Sequence, residues 1–287
     1  CQGVMIPPSH NMILFAMAAG GGVSIGQLFM GGLIPGIILG IALMIMTAII
    51  ARKRNYPKGR VLSVKEIWKV TKDALLGLMT CIIIVGGVIF GWFTATESAA
   101  VAVVYAFIIT FFVYREIPLR QFGNILRKSL RTIAMVMALI ATASMFGWLL
   151  AYLKIPAMVT TALLGISTNK IVILLLINVM CLILGCIMDM GPLILILTPI
   201  LLPVATQLGM EPVQFGAMLI LNLAIGLCTP PVGAALFAGC SIGRIKIEHA
   251  TKACLPFYAM MILVLMLVTF VQPISMFVPH LMAAMGN

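Results

Sequence analysis

The sequence predicts an all-α protein that crosses a membrane several times, and three observations predict it. The composition is 63% hydrophobic and only 9% charged, whereas soluble globular domains carry about 25% charged residues. The lysines and arginines gather in short clusters between long apolar runs, the pattern that orients helices in a bilayer. Two apolar runs are interrupted by adjacent prolines, Pro7-Pro8 and Pro230-Pro231, and interrupted runs in matching positions mark the binding sites of secondary transporters.

The same composition excludes other classes. A formal net charge of +11 would suit a nucleic-acid partner, but the bases sit beside apolar runs, so the partner they imply is the lipid bilayer. The seven cysteines show no Cys-x-x-Cys spacing and no histidine partners, which argues against a metal site or a disulfide framework. The 22 methionines read as core and lipid-facing filler. Because it begins at Cys1, within an expected broken helix, the chain reads as the C-terminal part of a longer protein.

The organising stretch is Gly226-Leu227-Cys228-Thr229-Pro230-Pro231-Val232-Gly233. A proline has no N–H, and its ring excludes the carbonyl four residues back from the helix ladder. Pro230 therefore frees the carbonyl of Gly226, and Pro231 that of Leu227. Thr229, just before a proline, is pushed out of helical geometry. Freed polar groups at membrane depth survive where they line a cavity or bind an ion. A proline kink repaired by neighbouring helices is the structural alternative. Gly3-Val4-Met5-Ile6-Pro7-Pro8-Ser9 repeats the device, with Gly3 again four residues before the first proline. Ser-Ile-Gly follows each copy, at Ser24 and Ser241, and a proline closes each, at Pro35 and Pro256. The intervals differ by a few residues, so the repeat is weak.

Between the breaks the elements follow in order. Asn11 to Ala19 is the helix leaving the first break, and Leu28 to Ile50 is a span whose Gly31, Gly32, Gly36 and Gly40 allow close helix contact. Arg52 to Lys72 holds eight bases and reads as cytoplasmic; its part from Val64 to Asp73 suits a helix lying at the interface. Leu75 to Phe93 spans outward, Thr94 and Glu97 have capping-box spacing, and Ala99 to Val113 spans back. Arg115 to Arg131 is the second cytoplasmic cluster. Thr132 to Leu153 goes out, and Pro156 to Thr168 connects. Ile171 to Met188 and Leu193 to Ala205 enter and leave by one face. The second run is short against the ~20 residues of a full span, which favours a re-entrant hairpin. Phe257 to Phe277 spans last, with Asn287 outside.

Asp189, at the hairpin tip, is an acid in apolar sequence and so a functional candidate; it also suits the N-cap of the helix that follows. Glu97 reads as a cap, and Asn178 and Asn222 as interhelical hydrogen-bonding groups. No Walker motif and no catalytic or metal-ligand spacing is present. Sodium is held by carbonyl and hydroxyl oxygens, and the C-terminus of a half-helix favours a cation. Gly226, Thr229 and Val232, three apart across the break, can converge on one ion. Proton coupling would need buried titratable groups, of which the chain has few.

Four runs together resemble a known family. Ile6-Pro7-Pro8-Ser9, Gly91 to Val101, Gly185-Cys186-Ile187-Met188-Asp189 and Gly226 to Gly233 are similar to the large membrane subunit of tripartite ATP-independent periplasmic (TRAP) transporters, the DctM-like family. The family has proline where this chain has Ala95, which bears only on a helix start. The resemblance covers the chain as the family's C-terminal two thirds. It implies an inverted-repeat elevator-type transporter, with a re-entrant hairpin and a broken helix in each repeat. It implies no resident cofactor, sodium as coupling ion, a small DctQ-like membrane subunit, and a periplasmic solute-binding protein. The binding protein would deliver an organic acid such as a dicarboxylate or sialic acid, and the location implied is the bacterial inner membrane. The implied sodium site uses Gly226, Thr229 and Val232 with the hairpin tip at Gly185 to Asp189. Gly3, Pro7, Pro8 and Ser9, with Pro230 and Pro231, would line the breaks and the substrate site.

This divides the chain into 1–23, the first broken helix; 24–153, scaffold helices; 154–252, hairpin and second broken helix; and 253–287, the last span. Two other readings stand beside it. One is a stand-alone sodium–carboxylate symporter of related fold. The other is an integral-membrane enzyme, which would need a constellation of His, Asp or Cys at one interface.

Overall fold

The computed structural model describes residues 1–56, 63–115, 117–167, 169–231 and 233–284. The expected basic positions Lys58 and Arg60, the Val232 ligand and the Asn287 terminus lie outside them. The described residues form thirteen α-helices and no strand. In chain order these are α1 (Gln2–Met5), α2 (His10–Ala18), α3 (Ile25–Lys53), α4 (Val64–Ile89), α5 (Ala95–Ile108), α6 (Phe122–Tyr152), α7 (Ile155–Ile166), α8 (Lys170–Ile187), α9 (Met190–Gln207), α10 (Pro212–Leu227), α11 (Ala234–Gly243), α12 (Ile247–Phe270) and α13 (Gln272–Ala284). A π-helical turn, Ile109–Tyr114, extends α5. Among the described residues six helices are long and apolar enough to cross a membrane, or seven if α4, bent by 50° between 64–72 and 74–89, counts as one span. The chain is an all-α, multi-pass membrane protein.

The chain forms two compact units, Ala51–Ala138 and Cys1–Ile50 with Leu139–Gly286. In the smaller unit α4 and α5 pack as a hairpin. Thr94 N-caps α5: its Oγ1 accepts the Glu97 N–H at 3.3 Å, and Glu97 Oε2 accepts the Thr94 N–H at 2.8 Å. Gly87 admits Ser98 against α4, since a Cβ there would lie 2.5 Å from Ser98 Oγ. Phe107, Phe111 and Phe122 interlock at 4.8–5.9 Å, fastening the end of α5 to the start of α6.

In the larger unit α10 is the centre. Every residue from Val213 to Gly226 is buried, and α8, α9, α12 and α1 pack against it. Small residues set the spacing: a Cβ on Gly216 would lie 2.7 Å from Phe15 and 2.8 Å from Leu28. The glycines of α3 do as expected, with Gly32 against Met5 and Met12, Gly36 against Ile6, and Gly40 against Gln2. A buried amide chain ties three helices. Asn222 Nδ2 donates to Asn178 Oδ1 at 2.9 Å, and Asn178 Nδ2 donates to Thr269 Oγ1 at 3.3 Å. Both asparagines thus make the interhelical bonds expected of them.

Four expectations are corrected. The outward span expected over Thr132 to Leu153 begins ten residues earlier, at Phe122. Its 31 residues reach ~46 Å at 1.5 Å per residue, beyond a ~30 Å hydrocarbon core. Arg127, Lys128 and Arg131 therefore ride an exposed helical extension instead of a loop. The connection expected over Pro156 to Thr168 holds a helix, α7, which ends at Ile166 and packs on α9. The second hairpin arm is longer than expected, 18 residues, because Gly191 and Pro192 fall in its first turn, where a proline costs no hydrogen bond. At ~27 Å, its length no longer argues for re-entry. The last span stops at Phe270 and a separate helix, α13, follows. Pro273 excludes the carbonyl of Thr269 from the ladder. Gln214 Nε2 from α10 bonds it at 3.0 Å and the Val268 carbonyl at 3.1 Å.

Candidate functional site

Both double prolines interrupt helices where the sequence places them. The first break runs from Ile6 to Ser9 between α1 and α2, the second from Cys228 to Gly233 between α10 and α11. Both prolyl pairs are joined by a cis peptide bond. Gly3 lies exposed within α1, Pro7 and Ser9 are buried and Pro8 is exposed. Ser9 occupies the N-cap of α2, with its buried Oγ unpartnered among the described residues.

The second break is closed on one side by its own chain. Thr229 N–H donates to the Gly226 carbonyl at 2.8 Å, and Thr229 Oγ1 donates to the Ile225 carbonyl at 2.7 Å. The Gly226 oxygen thus makes one bond and retains a second lone pair, so it is not fully freed as expected from the proline alone. The Thr229 hydroxyl, donating its hydrogen bond to the Ile225 carbonyl, keeps its acceptor lone pairs. Gly233 ends the break with φ +34, and a Cβ there would lie 2.7 Å from the Thr229 carbonyl oxygen. Pro230 is half-buried and Pro231 exposed.

On its other side the break meets the α8–α9 hairpin, backbone to backbone. A Cβ on Gly226 would lie 2.6 Å from the carbonyl carbon of Gly185 and 2.7 Å from its Cα. Gly233 N–H donates to the Cys186 carbonyl at 3.3 Å. Glycine at 185 and 226 is what permits this approach. Asp189, at the tip, N-caps α9: its Oδ1 accepts the Met190 N–H at 2.9 Å. The structure thus joins Gly185, Gly226 and Thr229 in one place, and shows Asp189 at work as a cap.

Three contacts at the break were not foreseen. Tyr258, on α12, donates its hydroxyl to the Cys228 carbonyl at 2.6 Å. A tyrosine in an apolar span needs an acceptor for its hydroxyl, which gives a general signal but not the address. Cys1 places its Sγ 3.2 Å from the Ala224 carbonyl and 3.7 Å from Cys228 Sγ. The two broken helices therefore touch. Asn11, in the helix leaving the first break, donates to Met190 Sδ at 3.8 Å at the start of the second hairpin arm.

Two broken helices meeting beside a helical hairpin, inside a multi-pass apolar bundle, define the class as an integral membrane protein of transporter architecture. The family model described as "Tripartite ATP-independent periplasmic transporter, DctM component" matches residues 1–274. The chain is 39% identical over 285 residues to the sialic acid TRAP transporter large permease protein SiaM of Vibrio cholerae, covering 99% of this chain and 66% of that protein. It is 36% identical to the C4-dicarboxylate TRAP transporter large permease protein DctM of Rhodobacter capsulatus, with 98% and 66% covered. It is 42% identical to the isethionate TRAP transporter permease protein DctMQ of Oleidesulfovibrio alaskensis, with 96% and 43% covered. The chain belongs to the DctM family of TRAP transporter large permeases, inner-membrane proteins that are transporters and not enzymes. It spans just under two thirds of the length of the separate large permeases and less than half of the DctMQ protein.

Proposed function

We propose that this chain forms the larger part of the permease subunit of a sodium-coupled secondary transporter that takes up an organic acid. The observation that carries the reading is the second break. There Gly226 and Thr229 carry oxygens with spare lone pairs, at the point where the Gly226 backbone lies against that of Gly185 and Cys186. An α-helix C-terminus carries partial negative charge, and α10 points its own end into this junction. Val232 would add a further oxygen, and Asp189 would shape the tip by capping α9 and add its charge to the site. No oxygen here needs to titrate for a monovalent cation to bind, which favours sodium over proton as the coupling ion.

The first break, with Gly3, Pro7, Pro8 and Ser9, is the symmetry-related counterpart. The unpartnered Ser9 hydroxyl supports a polar ligand there, because a buried hydroxyl without a partner costs free energy. The parts 1–23 and 154–252 would move together as the transport domain, with 24–153 as scaffold and 253–287 as the closing span. The relatives' names speak of sialic acid, C4-dicarboxylates and isethionate, so the substrate proposed is a small organic anion. A small membrane subunit and a periplasmic solute-binding protein complete the assembly, as the family's description implies.

The test is uptake by the full-length permease reconstituted with its small subunit and binding protein. Accumulation of labelled organic acid should follow an imposed sodium gradient and vanish when potassium replaces sodium. Uptake that follows a proton gradient without sodium would overturn the coupling. Full uptake without any binding protein would support a stand-alone symporter instead.

A further inference from the structure

The chain's seven cysteines include a pair that the proposed transport chemistry does not use. Cys1 immediately precedes α1 and Cys228 immediately follows α10, so each sits beside a half-helix of a different break. Their Sγ atoms are 3.7 Å apart, and neither residue is fully buried. The Cys1 thiol donates to the Ala224 carbonyl at 3.2 Å, which holds its sulfur over the end of α10. A disulfide needs the sulfurs at about 2.05 Å and the Cα atoms within about 7 Å. The sulfurs, 3.7 Å apart, stand short of bond length by less than about 2 Å, and α1 and α10, which the two cysteines flank, pack directly on each other.

We propose that Cys1 and Cys228 form an oxidation-sensitive dithiol, a site of reversible disulfide modification that joins the two helix breaks. The oxidant is a peroxide. The thiolate of one cysteine attacks a peroxide oxygen and breaks the O–O bond, giving a sulfenic acid and, once protonated, water. The second sulfur then attacks the sulfenic sulfur, its hydrogen leaving with the hydroxyl as a second water. Two thiols are oxidised by two electrons and hydrogen peroxide is reduced to two waters. A dithiol reductant reverses the bond by thiol–disulfide exchange. Cytosolic reductants hold such pairs as thiols, so the bond forms when peroxide outruns them. Once formed, it prevents α1 and α10 from separating; the parts 1–23 and 154–252 still move together, but ligand entry and exit, which open the junction between the two breaks locally, are slowed.

The neighbouring thiols supply the alternatives. Cys254 and Cys240 lie near Tyr258, whose hydroxyl bonds the Cys228 carbonyl. The experiment treats the full-length permease in its membrane with hydrogen peroxide, blocks free thiols with a maleimide and identifies joined peptides by mass spectrometry. The expected product links Cys1 to Cys228, disappears with a dithiol reductant, and is absent from the Cys1→Ser variant. In parallel, peroxide should lower uptake by wild type in proportion to the joined fraction, with recovery on reduction, while Cys1→Ser keeps its uptake. Three results would overturn the proposal: Cys228 joined to Cys240 or Cys254, both thiols still maleimide-labelled after peroxide, or a quantitative Cys1–Cys228 bond with uptake unchanged.

Discussion

Gly226 has no room for a methyl group, and that single fact fixes how the hairpin meets the broken helix. A Cβ would lie 2.6–2.7 Å from the Gly185 backbone and 3.0 Å from the Cys186 nitrogen. Backbone cannot swing aside as a flexible side chain can, so Gly226→Ala must drive α8 and α10 apart. The cost expected is about 1–3 kcal/mol of overpacking, read as a lower unfolding temperature of the detergent-solubilised permease. Since the same displacement separates the oxygens of Gly226 and Thr229 from the hairpin, sodium-dependent uptake should fall too. Unchanged thermal stability would contradict the backbone contact. The need for glycine at 226 was legible as a pattern, from its spacing to the prolines. Its partner Gly185 was legible only through the family resemblance, because the contact joins residues 41 apart.

At the scale of elements, the sequence reveals what chain-local physics decides. The prolines fix both breaks, the capping box fixes the start of α5, and apolar length fixes most spans. Helix ends set by distant partners were not legible. Nothing local shows that Gln214 would bond the carbonyls of Val268 and Thr269 and so stabilise the break between α12 and α13. Nor does anything local place Tyr258 on Cys228. The short estimate for the second hairpin arm failed because Gly191 and Pro192 were counted as an interruption, whereas they form its first turn. Asp189 supplies the cap for that turn. Asp189→Asn should keep the cap and most transport, and Asp189→Ala should destabilise α9 by about 1 kcal/mol. If its charge also serves the cation, the Asn variant will need more sodium for half-maximal uptake. An Asn variant as unstable as the Ala variant would remove the capping role.

At the scale of the whole molecule, the basic residues set the orientation. Arg115, Arg120, Arg127, Lys128 and Arg131 precede or occupy the exposed start of α6, and Arg244, Lys246 and Lys252 surround the start of α12. The positive-inside rule predicts a cytoplasmic side for each group. Arg120→Cys in a cysteine-free full-length background should react with a membrane-impermeant maleimide only from the cytoplasmic side; labelling from the periplasm would invert the topology. Class and family were readable from composition and four motifs. The substrate was not, since no arginine or lysine stands beside either break.

The central claim is that the second break binds the coupling cation, and Thr229→Val tests it most directly. Valine keeps the shape and β-branching of threonine and deletes one oxygen, the Oγ1 that now bonds the Ile225 carbonyl. The measurement is the sodium concentration for half-maximal uptake by the full-length complex, wild type against variant. A rise of roughly tenfold or more is expected, the equivalent of about 1.4 kcal/mol for a lost ligand, with Thr229→Ser staying near wild type. An unchanged sodium curve for Thr229→Val, together with one for Pro230→Ala/Pro231→Ala, would contradict the claim and leave the break a purely structural kink.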